Sequence, residues 1–402
     1  MDRAPSIALV VGFKPPPDYG TTLYRALSAE AAGEFNLTAV TSTAAPAGSV
    51  SDGNVKTVWT PTWRHPFQIR CWLERNPVDL VHVQHEINLF GGWRGVLWLP
   101  LLLAFIKARG RRIVTTLHVV VPRSAVKGEF SGFFSFPRSG AMSWLMKVGL
   151  AAVYRAALAS SDAVIVHSER LAGILVADYG GRPEKIRVVA HPELAVSAAE
   201  APAPSAPTIL YFGYLIRRKG IDRLIEAFAS LTSEFPNHVL VLAGAAPQKT
   251  HAAELRAKIK SMGLERRVTL TGFVDADRVA QLFSTADAVA LPAMFSYSAS
   301  GPYAVAMAFD KPVIAPRLGV FAETIDSERD GLLYEPEDAS ALAAALRRVM
   351  RDAGLRSRLS EGMKRKRSAF SPEAVARATL AVYRDVLKPE RRRPVSGTTT
   401  SA

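Results

Sequence analysis

The chain has 402 residues, 49% of them hydrophobic and 21% charged, and a formal net charge of +14. This excludes a largely disordered chain, a collagen-like repeat and a coiled-coil rod, and the length suits two domains. The lone cysteine, Cys71, excludes a disulfide scaffold and a cysteine-based zinc cluster, while the charge favours polyanions such as nucleotide phosphates, anionic lipid or nucleic acid.

The start, Met1-Asp2-Arg3-Ala4-Pro5, does not read as a secretory leader. Ile7–Val11 reads as a buried strand. A Pro-rich loop with Tyr19, Gly20 and Thr21 follows, read either as a lining of the cleft or as a simple strand-helix connector, then a helix from Leu23. Gly20 permits close backbone approach there. The next strand, Leu80–Val83, leads into Gln84, His85 and Glu86. Polar groups at a strand end are where an α/β sheet presents its ligands. Alternation places His82 and Gln84 on one face of this strand and His85 on the other. The apolar run Val96–Ile106 is too short to span a bilayer and reads as a sheet-covering helix. Strand Ile113–Leu117 ends in His118. A segment with Phe130, Phe133, Phe134, Phe136 and Trp144 interleaves with Lys127, Arg138 and Lys147, a composition suited equally to a headgroup boundary and to hydrophobic packing. Ala163–Val166 and Ile186–Val189 complete the first set of strands.

Residues 195–207 read Ala-Val-Ser-Ala-Ala-Glu-Ala-Pro-Ala-Pro-Ser-Ala-Pro, an extended linker. A second set of strands follows at Thr208–Phe212, Val239–Ala243, Val268–Leu270, Ala288–Leu291 and Pro312–Ala315. Helical patterns between them, such as Ile221, Leu224, Ile225 and Phe228, imply parallel sheets covered on both faces. The expected fold is α/β, with two doubly wound Rossmann-like domains facing a cleft. The domains are residues 1–194 and 208–371, with a helix over 372–388 packing across the boundary. The tail 389–402, with Arg391 to Arg393, reads as disordered.

The first strand of the second half runs into Gly213, Arg217, Arg218, Lys219 and Gly220 just before a helix. Cations at a helix start make a diphosphate site. Gly244, Phe273 and Val274 follow two later strands, and Ser298, Ser300 and Gly301 form a hydroxyl-rich turn before another helix. Amides and hydroxyls at such a turn can hold phosphate oxygens.

The ordered series Gly213…Lys219-Gly220, Ala243-Gly244, Gly272-Phe273-Val274, Ala306-Met307-Ala308…Lys311-Pro312-Val313-Ile314-Ala315 and Asp330-Gly331-Leu332-Leu333-Tyr334 resembles the donor domain of the GT4-type retaining glycosyltransferases. That family has the GT-B fold. The resemblance implies a nucleotide-sugar donor, with Lys219 on the diphosphate and Gly272-Phe273-Val274 by the base. His82-Val83-Gln84-His85-Glu86 with Phe90-Gly91-Gly92 resembles an acceptor-side block of bacterial polysaccharide-type members, and Thr116-Leu117-His118 the family's TxH motif. The latter implies that His118 lies near the donor sugar and accepts a sugar hydroxyl. The sequence departs from the family at Tyr214, where an arginine is usual. It also departs at Tyr297 and Val305, which stand where the family has two glutamates.

The expected activity is transfer of a sugar from a nucleotide diphosphate sugar to a glycan or glycolipid acceptor with retention. No cofactor and no metal are expected, and the donor is a substrate. The expected partners are the donor, a glycan or lipid-linked acceptor and the anionic face of a membrane, without nucleic acid. The expected location is cytoplasmic, with a peripheral place on the inner face of a membrane left open. The alternative is a glycosyltransferase-like subunit that binds the nucleotide sugar without turning it over.

Overall fold

The computed structural model describes residues 3–15, 17–45, 52–86, 89–127, 139–196, 206–336 and 338–388. Most of the Phe-rich segment, the middle of the linker and the basic tail lie outside these.

Seven parallel strands build the first sheet. They are β1 (Ser6–Val10), β2 (Asn36–Ser42), β3 (Val55–Trp59), β4 (Leu80–His85), β5 (Arg112–Leu117), β6 (Ala163–Val166) and β7 (Ile186–Val188). Their order is β3-β2-β1-β4-β5-β6-β7. The register sets Gln84 beside Thr116 and His85 beside Leu117, so the polar ends of β4 and β5 meet. Six parallel strands build the second sheet. They are β8 (Thr208–Phe212), β9 (Val239–Ala243), β10 (Val268–Gly272), β11 (Ala288–Ala290), β12 (Val313–Pro316) and β13 (Gly331–Tyr334), in the order β10-β9-β8-β11-β12-β13. Both orders reverse direction beside the first strand of the sheet. In such sheets ligands collect at that switch point, beyond the carboxyl ends of the strands.

The central strands β1, β4, β5 and β6 are buried almost throughout. Parallel strands covered on both faces require such continuous apolar runs. The first helix starts at Tyr19, not Leu23, because buried Asp18 caps it. The Thr21 N–H and hydroxyl both donate to Asp18 Oδ2, at 2.9 and 3.0 Å. Tyr19, Gly20 and Thr21 therefore form a helical turn, and the connector ends at Asp18. A Cβ on Gly20 would lie 2.3 Å from the Gly12 carbonyl oxygen, so the close approach requires glycine.

The last helix, Pro372–Leu387, packs on Tyr19–Glu30 and buries Val375, Leu380, Val382 and Tyr383 in the core of the first domain. Further contacts join the halves. The Val120 N–H donates to the Tyr297 carbonyl at 2.9 Å, and the Leu194 N–H donates to the Ala304 carbonyl at 3.1 Å. The Glu323 carboxylate accepts from the N–H groups of Glu169 and Arg170, at 2.7 and 3.1 Å, capping helix Glu169–Tyr179 from the other domain. No helix among the described residues is long and apolar enough to cross a membrane.

Candidate functional site

On the second domain, β8 and β9 end in Gly213 and Gly244, with φ of 135° and 142°. Gly213 N–H donates to the Ala243 carbonyl at 3.0 Å, and Gly244 N–H to the Gly272 carbonyl at 2.9 Å. A Cβ on Gly244 would lie 2.0 Å from the Gly213 oxygen. The two turns are thus stacked bare backbone. The turn Arg217–Lys219 follows and feeds helix Ile221–Ala229.

The three cations of this turn have different surroundings. Arg217 is engaged by Glu254, at 2.6 Å, and so does not supply the free charge expected of it. Arg218 lies 5.8 Å over the Phe295 ring. Among the described residues no carboxylate pairs with Arg218 or Lys219. Burial, with help from the Arg218 guanidinium, lowers Lys219 to a pKa of about 8. Burial also lowers Arg218. Two adjacent, partly desolvated cations without a counter-ion at a helix start form an anion site.

The Ser298–Gly301 turn is less free than its sequence suggests. The Ser300 hydroxyl accepts from the Tyr303 N–H at 3.3 Å and caps helix Gly301–Ala308. Ser298 bridges to Val119 of the first domain, beside His118. Tyr297 packs against the core of the first domain, and Val305 is fully buried in that of the second. Phe273 is 71% exposed at the cleft end of β10, and Val274 packs inward beside it.

On the first domain, Glu86 pairs with Lys14 at 2.7 Å. Burial pulls the Lys14 ammonium down, but Glu86, with Asp18 and Tyr214 of the other domain, more than offsets this and raises its pKa. Lys14 is thus a cation held at the cleft that sequence reasoning did not select. The other two acceptor-side residues are turned inward. Gln84 is 1% exposed and bonded within the protein. His85 stacks with Phe90 and has a buried Nε2 without a partner. Gln84 therefore cannot touch an acceptor in this structure, because its amide is committed to two histidines.

Strands β5 and β6 both lead into histidines, His118 and His167, and His191 follows β7. All three rings surround Tyr19, with centroids 4.5, 5.4 and 4.9 Å away. His167 Nδ1 lies 2.9 Å from the Val189 carbonyl, which only accepts, so Nδ1 carries the proton. The neutral ring then accepts at Nε2 from His118 Nδ1–H, 3.1 Å away. His118 Nε2, 2.8 Å from the Gln84 amide, must accept in turn. The structure sets Gln84 Oε1 on His118 and its amide nitrogen on His82 Nε2, 3.0 Å away. The neutral His118 ring requires the opposite assignment, with the NH2 donating to His118 and the amide oxygen accepting the His82 Nε2 proton, which Thr116 Oγ1 also faces at 2.7 Å. His82 Nδ1 accepts from the Tyr383 hydroxyl at 2.6 Å. A directed chain therefore runs from the last helix to the cleft. It occupies both nitrogens of His118, so the expected bond from His118 to a sugar hydroxyl has no free nitrogen. The group that fixes His118 is 301 residues from His82 in sequence, and only the fold reveals it. His167 carried the same strand-end signal as His118.

Tyr383→Phe removes the donor at the head of the chain and keeps the packing. The expected loss is about 1–2 kcal/mol of stability, the cost of a buried acceptor left unpaired. Nitrogen NMR of the His118 ring should show a changed tautomer balance. An unchanged His118 signal would disconnect Tyr383 from the cleft.

Residues 196–366 match the family Glycosyl transferases group 1, and residues 43–192 match Glycosyltransferase Family 4. The chain belongs to the GT4-type glycosyltransferases. Among its relatives, the D-inositol 3-phosphate glycosyltransferase of Xylanimonas cellulosilytica is 30% identical over 59% of each chain. The 2-deoxystreptamine glucosyltransferase of Streptomyces kanamyceticus is 27% identical over 79% of this chain and 80% of its own. The alignment with the first of these spans about three-fifths of that relative's length, 59%. The solved structure of sucrose-phosphate synthase from Thermosynechococcus elongatus superposes with a TM-score of 0.70 at 20% identity, over 96% of this chain and 99% of its own. Anabaena HepE in complex with UDP gives 0.68 at 17%, over 95% and 100%. These structures share the two-domain GT-B fold. Among the described residues of this GT4-type chain, no group of three or more His, Cys, Asp or Glu could hold a metal ion.

Proposed function

We propose that this chain transfers a sugar from a nucleoside diphosphate sugar to a glycan or lipid-linked glycan, with retention, in polysaccharide or glycolipid biosynthesis. One observation carries the reading. Among the described residues no carboxylate pairs with Lys219 or Arg218 at the C-terminal edge of the second sheet, where a diphosphate would neutralise them.

In this reading the glycosidic bond to the phosphate oxygen breaks as the acceptor oxygen bonds to the anomeric carbon on the same face. The acceptor proton passes to the departing phosphate oxygen. The protein positions the two substrates and holds the developing charge on the diphosphate. The backbone at Gly213 and Gly244 lets the phosphates approach, and Phe273 and Val274 flank the base. Lys14 and Glu86 face the reaction from the acceptor domain. His118, held by its neighbours, shapes the wall beside the donor sugar and takes no proton.

A second reading is nucleotide-sugar binding without transfer. It is favoured by Tyr297 and Val305, an aromatic and an apolar residue where the family places carboxylates. Thermal shifts against UDP-, GDP- and ADP-sugars test binding, since a ligand of the folded form raises its stability. Release of free nucleoside diphosphate with a glycan acceptor tests transfer. Stabilisation without release would select the second reading, and neither would remove both.

A further inference from the structure

Large apolar side chains are exposed together on one side of the first domain. Trp63 (52%), Phe67 (41%) and Trp98 (37%) form one aromatic group, with ring centroids 6.4 Å apart for Trp63 and Phe67 and 6.2 Å for Trp63 and Trp98. Trp144 (65%), Leu145 and Val148 extend it along helix Gly140–Ser160. Leu97 joins the two parts, since its Cδ2 would lie 3.1 Å from a Cβ on Gly149. Isolated exposed hydrophobics need no explanation, but a contiguous group on three packed helices does.

The location is as informative as the composition. Helices His65–Arg75, Leu99–Lys107 and Gly140–Ser160 follow β3, β4 and β5. In a parallel sheet such helices begin at the carboxyl edge of the strands, the edge that carries the cleft. Trp63, Leu97 and Trp98 immediately precede two of these helices, and Trp144 lies near the start of the third. The patch therefore borders the acceptor side of the cleft.

Charge selects the occupant. Residues 89–127 and 139–161 carry nine Lys and Arg and no Asp or Glu; two of the nine, Arg109 and Arg112, pair with Glu74 and Asp162 outside these stretches. Arg64 lies 5.4 Å over Trp63, and Arg70 lies 4.9 Å over Phe105. Arg155 is exposed on the same helix as Trp144 and Val148, with Lys147 between these two. A second copy would bring like charges together. Nucleic acid would use the indoles but has no use for Leu97, Leu145 and Val148. Tryptophan and leucine among cations match the boundary of an anionic bilayer.

We propose that this face docks on an anionic lipid bilayer and holds the cleft rim at the headgroups, where a lipid-linked acceptor would present its sugar. The identity of the acceptor rests on the proposed function. The docking does not, since vesicle binding is read without donor or transfer.

The test is sedimentation of the full chain with vesicles of pure phosphatidylcholine or of equimolar phosphatidylcholine and phosphatidylglycerol. The wild type should partition at least about tenfold more strongly onto the anionic vesicles. The Trp63→Ser, Trp98→Ser, Trp144→Ser variant should lose at least about tenfold of this. So should Lys147→Glu with Arg155→Glu, which leaves the aromatic group intact. An unchanged thermal melt by circular dichroism shows that each variant is folded. Equal partition onto both vesicles, or full binding by either variant, would overturn the proposal. So would a wild-type dimer in lipid-free sedimentation that the tryptophan variant abolishes, because the patch would then be a self-interface.

Discussion

Lys219→Ala is expected to weaken binding of a nucleoside diphosphate by about 10- to 100-fold, on the order of 1–3 kcal/mol for a charge-assisted contact. Binding of the bare nucleoside should barely change, because the base end of the site is formed separately near Phe273 and Val274. The sign of the pH dependence follows from the lysine's surroundings. Its pKa of about 8 means that its charge is present below pH 8 and lost as pH rises through that value. Diphosphate affinity of the wild type should therefore fall between pH 7 and pH 9, and Lys219→Ala should lack that step. The same desolvation makes the lysine a burden in the empty protein. Between about 8 and the ordinary 10.5 the unfolded chain binds the extra proton, so below pH 8 the full penalty is present. Lys219→Met should stabilise the ligand-free fold while reducing the gain from diphosphate. Calorimetry at the two pH values and melts with and without ligand measure both. Equal diphosphate affinity in wild type and Lys219→Ala would take Lys219 out of the site.

Lys219 was legible because position alone marks it: a strand, a glycine, a cationic turn and then an amphipathic helix. The fate of Arg217 was not, because its partner Glu254 is 37 residues away and arrives with helix Lys249–Ser261. The fold shows the same division. Strands buried on both faces, such as Ile7–Val10 and Leu80–Val83, announce themselves as apolar runs. The strands that escaped notice are β2, β3 and β13, two of them at sheet edges. Asn36–Ser42 is interrupted by threonine and serine, and Val55–Trp59 exposes Lys56 and Thr57 to solvent. An edge strand needs only one neighbour and one covered face, so its sequence can be mixed. His118, Gln84 and His85 were found as strand-end residues. Their roles were not legible, because hydrogen-bond supply is a property of the assembled core. Gln84 and His118 belong to a chain that begins on the last helix, and His85 to an aromatic stack with Phe90.

Mild acid is expected to unfold this protein through its histidines. His82 and His167 are buried with pKa values near 3, and His65 and His85 with values near 4, each lowered by desolvation. The coordination of the rings explains why a second proton does not fit. His167 and His82 use both nitrogens against neighbours whose directions are already set, and His65 gives its only proton to the Thr62 carbonyl at 2.7 Å. In the unfolded chain the same rings titrate near 6.5. Below that value the unfolded state binds protons that the folded state refuses, so stability falls as pH falls and goes on falling until about 3 to 4. One unit below the unfolded value costs about 1.4 kcal/mol per group, so four groups approach roughly 6 kcal/mol at pH 5.5. That is comparable with the total stability of many domains, about 5–15 kcal/mol. The window from 6.5 to 5.5 lies above the ordinary carboxylate range, so the loss there belongs to histidine. Melting temperatures at pH 7.5, 6.5 and 5.5 measure it, with the steep drop expected in the last interval. His85→Phe keeps a ring against Phe90 and removes one titrating group, whose Nε2 has no partner to lose. Its melting temperature should fall less between pH 6.5 and 5.5 than that of the wild type. Identical slopes would show that His85 titrates normally in the folded protein. A flat wild-type profile would mean that the whole cluster accepts protons, and that the directed chain from Tyr383 to Val189 does not hold.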